Sequence, residues 1–281
     1  MNSVGIINPG AMGISIAASA RAGGHDVYWA SAGRSAATHQ RAAEQGLLEV
    51  ESLAELCAAC RFILCVCPPH SAVSVAQSVL DTGFRGIYCD GNAIAPQKAQ
   101  AIDKMMRAAN INFVDGSIIG PPAWKAGTTR FYLSGPSANL VAALFEDTVT
   151  NALVISNEIG KASALKMVFA ALTKGSTALL SAIYGTADQL GVRADLEREW
   201  AMRDPDSVEQ RRNQVRGVTA KAWRFSGEMQ EIAATFELAG IPPGFFEAAH
   251  EIYERIAGFK DAEVVPELEA VLAALTDPED G

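Results

Sequence analysis

Asn8-Pro9-Gly10-Ala11-Met12-Gly13 lies between a short apolar run, Val4-Gly5-Ile6-Ile7, and an alanine-rich stretch to Ala22 whose apolar spacing suits a helix. A strand, a glycine turn and a helix in that order form a cradle for an anion, here the pyrophosphate of a dinucleotide. Gly10 stands where the backbone must approach the phosphates, and Gly13 where helix and strand must pack closely. The helix N-terminus adds unpaired amides and the positive end of its dipole. Asn8 stands where such turns carry their first glycine. Asn tolerates positive φ better than other non-glycine residues, so the turn is expected to keep its shape.

The end of the second strand decides which dinucleotide fits. A ribose with a free 2′-hydroxyl calls for Asp or Glu about 20 residues past the glycines. The chain has Ala30-Ser31-Ala32-Gly33-Arg34-Ser35 there, with no acid. Arg34 offers a charged fork, and Ser31 and Ser35 offer hydroxyls, a set suited to a 2′-phosphate. The expected cofactor is NADP, with NAD second.

These residues sit in a chain of 281, enough for one large domain or two ordinary ones. With 49% hydrophobic and 20% charged residues, the chain can build a core, which excludes disordered and fibrous classes. Lys plus Arg number 23 against 32 Asp plus Glu, a net charge of −9 without a basic run. Nucleic acid and anionic membrane are therefore not expected partners. The apolar stretches read as too short to span a bilayer, and the N-terminus lacks the basic region of a signal peptide. Five cysteines, Cys57, Cys60, Cys65, Cys67 and Cys89, are an odd number gathered in the first third. They suit reduced thiols in a cytoplasmic protein better than a disulfide framework. Cys57-Ala58-Ala59-Cys60 has no second pair to complete a metal site, and no metal is expected.

Strands are expected at Val4–Ile7, His25–Ala30, Phe62–Cys67, Gly86–Cys89, Asn112–Val114, Phe131–Ser134 and Leu153–Ser156. Helices fill the intervals, one of them started by Ser52 with Glu55 as a capping box. This alternation implies an α/β half with a doubly wound parallel sheet. After Gly160 the pattern turns helical. Lys161–Leu190 reads as one long apolar helix, followed by three or four more with breaks at Asp204-Pro205, Gly240–Gly244 and Val265-Pro266. The expected domains are residues 1–157 and 158–281, with a frayed acidic tail from Asp277.

These residues, with three later stretches, resemble the 6-phosphogluconate dehydrogenase and β-hydroxyacid dehydrogenase superfamily over nearly the whole chain. The likeness is greatest to the branch with a C-terminal domain of formerly unknown function. It implies a Rossmann domain followed by an all-α domain that interlocks with a second copy, hence a homodimer through the C-terminal helices. Cys89-Asp90-Gly91-Asn92-Ala93 is similar to the family's Asp-Gly-Gly-Asn-Ser turn, which makes Asn92 a cofactor and substrate contact. Asp115-Gly116-Ser117-Ile118-Ile119-Gly120-Pro121-Pro122 keeps the spacing of Asp-x-Pro-Val-Ser-Gly-Gly but puts Ile119 and Pro121 where carboxylate-gripping residues stand. Ile119, Gly120 and Pro121 thus imply a more apolar substrate site.

Gly160-Lys161-Ala162-Ser163-Ala164-Leu165-Lys166-Met167-Val168-Phe169-Ala170 resembles Gly-x-Gly-x-x-x-Lys-Met-Val-His-Asn, which makes Lys166 the catalytic acid/base. Phe169 and Ala170 replace the family's His and Asn. Cys67, Pro68 and Pro69 match the segment that runs under the cofactor. Lys174, about two turns beyond Lys166, is open between binding an acidic substrate group and acting as the acid/base itself. Glu228 is open between supporting the site and lying on an exposed helix face.

Together these features suggest an NADP-dependent oxidoreductase for a small alcohol or carbonyl substrate. An imine reductase and a non-catalytic NADP-binding regulator are the alternatives.

Overall fold

The computed structural model describes residues 1–260 and 262–276, so the expected fraying from Asp277 lies outside the described residues. The chain forms two compact units, Met1–Met167 and Val168–Gly281. Each is described by itself.

The first unit runs β1 (Ser3–Ile7), α1 (Ala11–Ala22), β2 (Asp26–Ala30), α2 (Ala36–Glu44), β3 (Leu48–Val50), α3 (Leu53–Ala59), β4 (Phe62–Cys65), α4 (Ala72–Asp81) and β5 (Ile87–Asp90). It continues through α5 (Pro96–Ala108), β6 (Asn112–Ile119), β7 (Thr129–Ser134), α6 (Ala138–Ala142), β8 (Thr150–Ser156) and the start of α7 (Lys161–Gln189). The strands form one sheet in the order β3-β2-β1-β4-β5-β6-β7-β8. Alternate side chains supply two cores: along β4, Phe62 and Leu64 join one cluster, and Ile63 and Cys65 the other. Burial of both faces explains the unbroken apolar run of this central strand.

The expected sheet is corrected in three places. β3 adds a strand that only three residues announce, two of them exposed. β6 runs on to Ile119, although Asp115-Gly116-Ser117 has the composition of a turn. Gly116 keeps the strand regular, because a Cβ there would meet the Phe131 ring at 2.7 Å and the Asp90 carbonyl at 2.9 Å. Finally, β7 runs antiparallel to β6, so the sheet is parallel only from β3 to β6, with β8 parallel to β7.

Chain order moves outward to β2 and β3 on one side of β1, then returns to β4 on the other. In such sheets ligands bind at this reversal, beyond the carboxyl ends of the strands. The segments after β1, β2, β4, β5 and β6 leave from that end of the sheet.

The second unit holds most of α7, then α8 (Arg193–Arg203), α9 (Ser207–Gly217), α10 (Ala222–Leu238), α11 (Gly244–Arg255) and α12 (Leu268–Thr276). The three expected breaks fall where Pro and Gly mark them. A further break near Val218 separates α9 from α10, giving five α-helices after α7 among the described residues. By length and composition α7 is able to cross a bilayer, contrary to the expectation from sequence. Its inward positions Ala170, Ala178, Ser181 and Tyr184 are nonetheless buried, and Tyr184 packs edge-on against Trp200. This makes α7 a core helix of its unit, with one apolar stripe left open.

Candidate active site

The turn after β1 has the shape its residues imply. Asn8 adopts φ +69°, the left-handed region that suits Asn. A Cβ on Gly13 would lie 2.4 Å from the Asn8 carbonyl oxygen, so only glycine permits this approach of α1. Around Gly10 the opposite holds: its nearest neighbour would be 4.0 Å away, which leaves room for a ligand atom. No side chain caps α1, and no acid lies in its first turn. Its first amides are therefore available to an anion. An open glycine, an uncapped helix end and nearby arginines fit a dinucleotide pyrophosphate.

At the end of β2 the Arg34 guanidinium donates from Nη1 to Asn8 Oδ1 at 2.7 Å. Gly33 turns the chain here with φ +71°. Ser31 Oγ donates to the Val50 carbonyl at 3.3 Å, and Ser35 Oγ lies 3.1 Å from Thr38 Oγ1. Arg41, which the sequence analysis overlooked, comes from the last turn of α2. Its Nε donates to the Pro9 carbonyl at 3.4 Å and its Nη2 to Thr38 Oγ1 at 3.0 Å. Two guanidinium groups thus border the turn.

After β4 and β5 the chain is bracketed by Asn92. Its Oδ1 accepts from the Cys67 amide, and its Nδ2 donates to Asp90 Oδ2 at 2.9 Å and toward Cys67 Sγ at 3.3 Å. Asn92 is buried and fixes the segment Cys67-Pro68-Pro69. Cys65 and Cys67 approach sulfur to sulfur at 3.6 Å. That contact first, then burial, pushes the Cys65 thiol well above its usual range. Burial similarly raises Cys57 and Cys89, and pushes Cys60 up to about 12. All five cysteines are free thiols. Among the described residues no cluster of His, Cys, Asp or Glu is placed to hold a metal.

Beyond β6, Gly120 adopts φ +125°, and a Cβ there would strike the Thr128 carbonyl oxygen at 2.2 Å. Pro121 accepts from Thr129 Oγ1 at 2.7 Å. Ser15 of α1 donates to the Met12 carbonyl and accepts from the Ala123 amide at 2.9 Å, tying the loop after β6 to the glycine turn. Ile118 and Ile119 are both buried. Lys166, on the second turn of α7, donates from Nζ to the Ile118 carbonyl at 2.9 Å. The putting in place of that lysine rests on Asp115, whose role the sequence analysis overlooked. Asp115 Oδ2 accepts from Gly160 N at 2.9 Å, Ser163 N at 3.1 Å and Ser134 Oγ at 2.8 Å, and Oδ1 accepts from Ser163 Oγ. Ser134 Oγ in turn accepts from Ala162 N at 3.0 Å. Together they cap α7 from the sheet. Burial pushes the Asp115 carboxyl up, while four donors and no acceptor favour its charged form.

In the second unit Lys174 is ion-paired with Glu228 and lies 4.5 Å from the centre of the Phe225 ring. Glu228 is buried, which settles its place: it is not an exposed helical glutamate. The backbone of Lys174 is held by Tyr253, whose hydroxyl donates to its carbonyl at 2.7 Å.

This geometry defines a dinucleotide-binding domain of the nicotinamide type joined to a helical unit. Residues 3–156 match the NAD binding domain of 6-phosphogluconate dehydrogenase, and the chain belongs to that family. Residues 187–256 match a domain of unknown function, DUF1932. An uncharacterized 28.5 kDa protein in the 7S RNA 5′ region of Methanothermus fervidus is 30% identical over 164 residues, 58% of this chain and 62% of that protein. The chain thus spans less than two thirds of this curated relative's length.

Among solved structures, the conserved protein MTH1747, of unknown function and described as similar to 3-hydroxyacid dehydrogenases, matches with TM-score 0.65 and 27% identity, covering 91% of this chain and 97% of that one. The fold is shared with 3-hydroxyisobutyrate dehydrogenase from Salmonella typhimurium (TM-score 0.67, 18% identity, 97% and 99% covered). A Streptomyces aurantiacus imine reductase shares it less closely (TM-score 0.55, 16% identity, 96% and 98% covered).

Proposed function

We propose that this chain is an NADP-dependent oxidoreductase that moves a hydride between nicotinamide and a small alcohol or carbonyl compound. The observation that carries the reading is Lys166, held at the carboxyl end of β6 by the Ile118 carbonyl within the unit that bears the dinucleotide turn. The cofactor, when bound, supplies the hydride chemistry. Lys166 takes the hydroxyl proton in oxidation and returns it in reduction. Gly10 and the start of α1 hold the pyrophosphate, and Arg34 and Arg41 the 2′-phosphate. Asn92 sets the Cys67–Pro69 segment beside the cofactor, and Ile119 with Pro121 suits a substrate less polar than a simple hydroxyacid.

The cofactor choice is tested by Arg34→Ala. This variant should lose roughly tenfold or more in NADPH affinity, the contribution of a charge-assisted hydrogen bond, with NADH affinity nearly unchanged. Fluorescence titration of both cofactors reads the outcome. Equal losses, or a wild-type preference for NADH, would refute NADP.

A homodimer is part of the same proposal. Val168, Leu172, Leu179 and Ile183 of α7 are exposed at helical spacing, and Leu172 is 73% exposed. A contiguous apolar stripe on an otherwise packed helix marks an interaction surface. Light scattering at micromolar concentration should give about twice the chain mass, and Leu172→Glu should lower it to one. A monomeric wild type with full activity would sink the dimer. The free thiols suit a reducing cytoplasmic compartment.

A further inference from the structure

We infer that Asn8 is a positioning residue for cofactor selectivity, acting through Arg34; the inference rests on the NADP reading above. The backbone alone does not explain the side chain at this point. At φ +69° a glycine would be at least as comfortable, and it would leave the turn more open. What Asn adds is Oδ1, which receives Arg34 Nη1 at 2.7 Å.

Arg34 is exposed and follows Gly33 at φ +71°, so nothing else in the loop restricts its long side chain to one direction. A neutral amide oxygen orients a guanidinium without cancelling its charge. One of five N–H donors is spent, and the remaining four are left for a phosphate. Arg41 is held in the same manner by two neutral acceptors, the Pro9 carbonyl and Thr38 Oγ1. Both cations at the site are thus steered by uncharged oxygens and keep their full charge for a ligand. Preorganisation of this kind raises affinity by lowering the ordering cost on binding. Since Arg34 meets only the 2′-phosphate, the gain falls on NADPH and not on NADH.

Two substitutions separate this role from a role in the turn. Asn8→Gly keeps the backbone and removes the acceptor. It should weaken NADPH binding about tenfold, the share of one ordinary hydrogen bond, and leave NADH within about twofold. Asn8→Asp also tolerates positive φ, but its carboxylate neutralises Arg34 and repels the 2′-phosphate. It should move the NADPH-to-NADH ratio further toward NADH than Asn8→Gly does. In the double variant Asn8→Gly/Arg34→Ala, the loss should not exceed that of Arg34→Ala alone by more than about twofold, because the two residues act as one unit.

The measurements are fluorescence titrations of NADPH and NADH on the full-length chain, with thermal melts to confirm folding. If Asn8→Gly weakens both cofactors equally, or if the double variant shows additive losses, Asn8 serves only the turn and the inference falls. If the wild type binds NADPH no better than NADH, the NADP reading itself fails, which is a separate and recognisable outcome.

Discussion

Lys166→Met should bind NADPH as the wild type does and turn over about 10²–10⁴ times more slowly, the usual contribution of a positioned general acid or base. Met keeps the length and helix preference of lysine and removes only the proton carrier. The hydrogen bond to the Ile118 carbonyl matters here, because it shows where the ammonium points: toward the end of β6, where the loop through Gly120 and Pro121 begins. Pre-steady-state NADPH oxidation with a panel of small aldehydes, keto acids and imines reads the loss directly. Lys174→Met should not slow the same step comparably, since Lys174 is engaged by Glu228. A Lys166→Met enzyme within threefold of wild type would remove that residue from the chemistry. A loss confined to Lys174→Met would transfer the role to Lys174.

The second large effect is expected at Asp115. Asp115→Ala leaves the Gly160 and Ser163 amides without their buried acceptor, at about 1–3 kcal/mol each, and the Ser134 and Ser163 hydroxyls must also find new partners. A total loss of about 3–5 kcal/mol is expected, less whatever the release of a buried charge returns. Urea unfolding followed by tryptophan fluorescence measures the total. Hydrogen exchange at Ala162 and Ser163 locates it, since these amides should lose protection first. A loss below about 1 kcal/mol with unchanged exchange would show that α7 does not depend on this cap.

The two sites differ in how far they could be read in advance. Asn8 carried its own conformational preference, so its positive φ was legible from one residue type in one context. Arg34 was singled out because an acid was missing beside it. Lys166 was singled out through resemblance alone, since a lysine among apolar residues on a helix has many uses. Asp115 was hidden by its neighbours: Asp-Gly-Ser has the composition of a turn, while in the structure all three lie in a buried strand. Its partners at Gly160 and Ser163 are 45 and 48 residues away, and no local pattern joins them. The pairing of Lys174 with Glu228, 54 residues apart, escaped for the same reason, although each residue had been singled out. Arg41 lies in the last turn of α2, where a basic residue is common on any helix, so nothing local marks it. The reversal of β7 left no local trace either, because hydrophobic alternation has the same period in both strand directions.

The distribution of thiols has a practical consequence for labelling chemistry. Four of the five cysteines are buried and held toward the unreactive thiol form, whereas Cys67 is half-buried on the segment that Asn92 fixes after β4. Electrophiles select thiols by access and thiolate character. The native chain therefore offers one preferred attachment point, at the carboxyl edge of the sheet, for a small environment-sensitive fluorophore. Because the Cys67 amide and sulfur both touch Asn92, a dye placed there would sense changes at the carboxyl ends of β4 and β5 without any engineered residue.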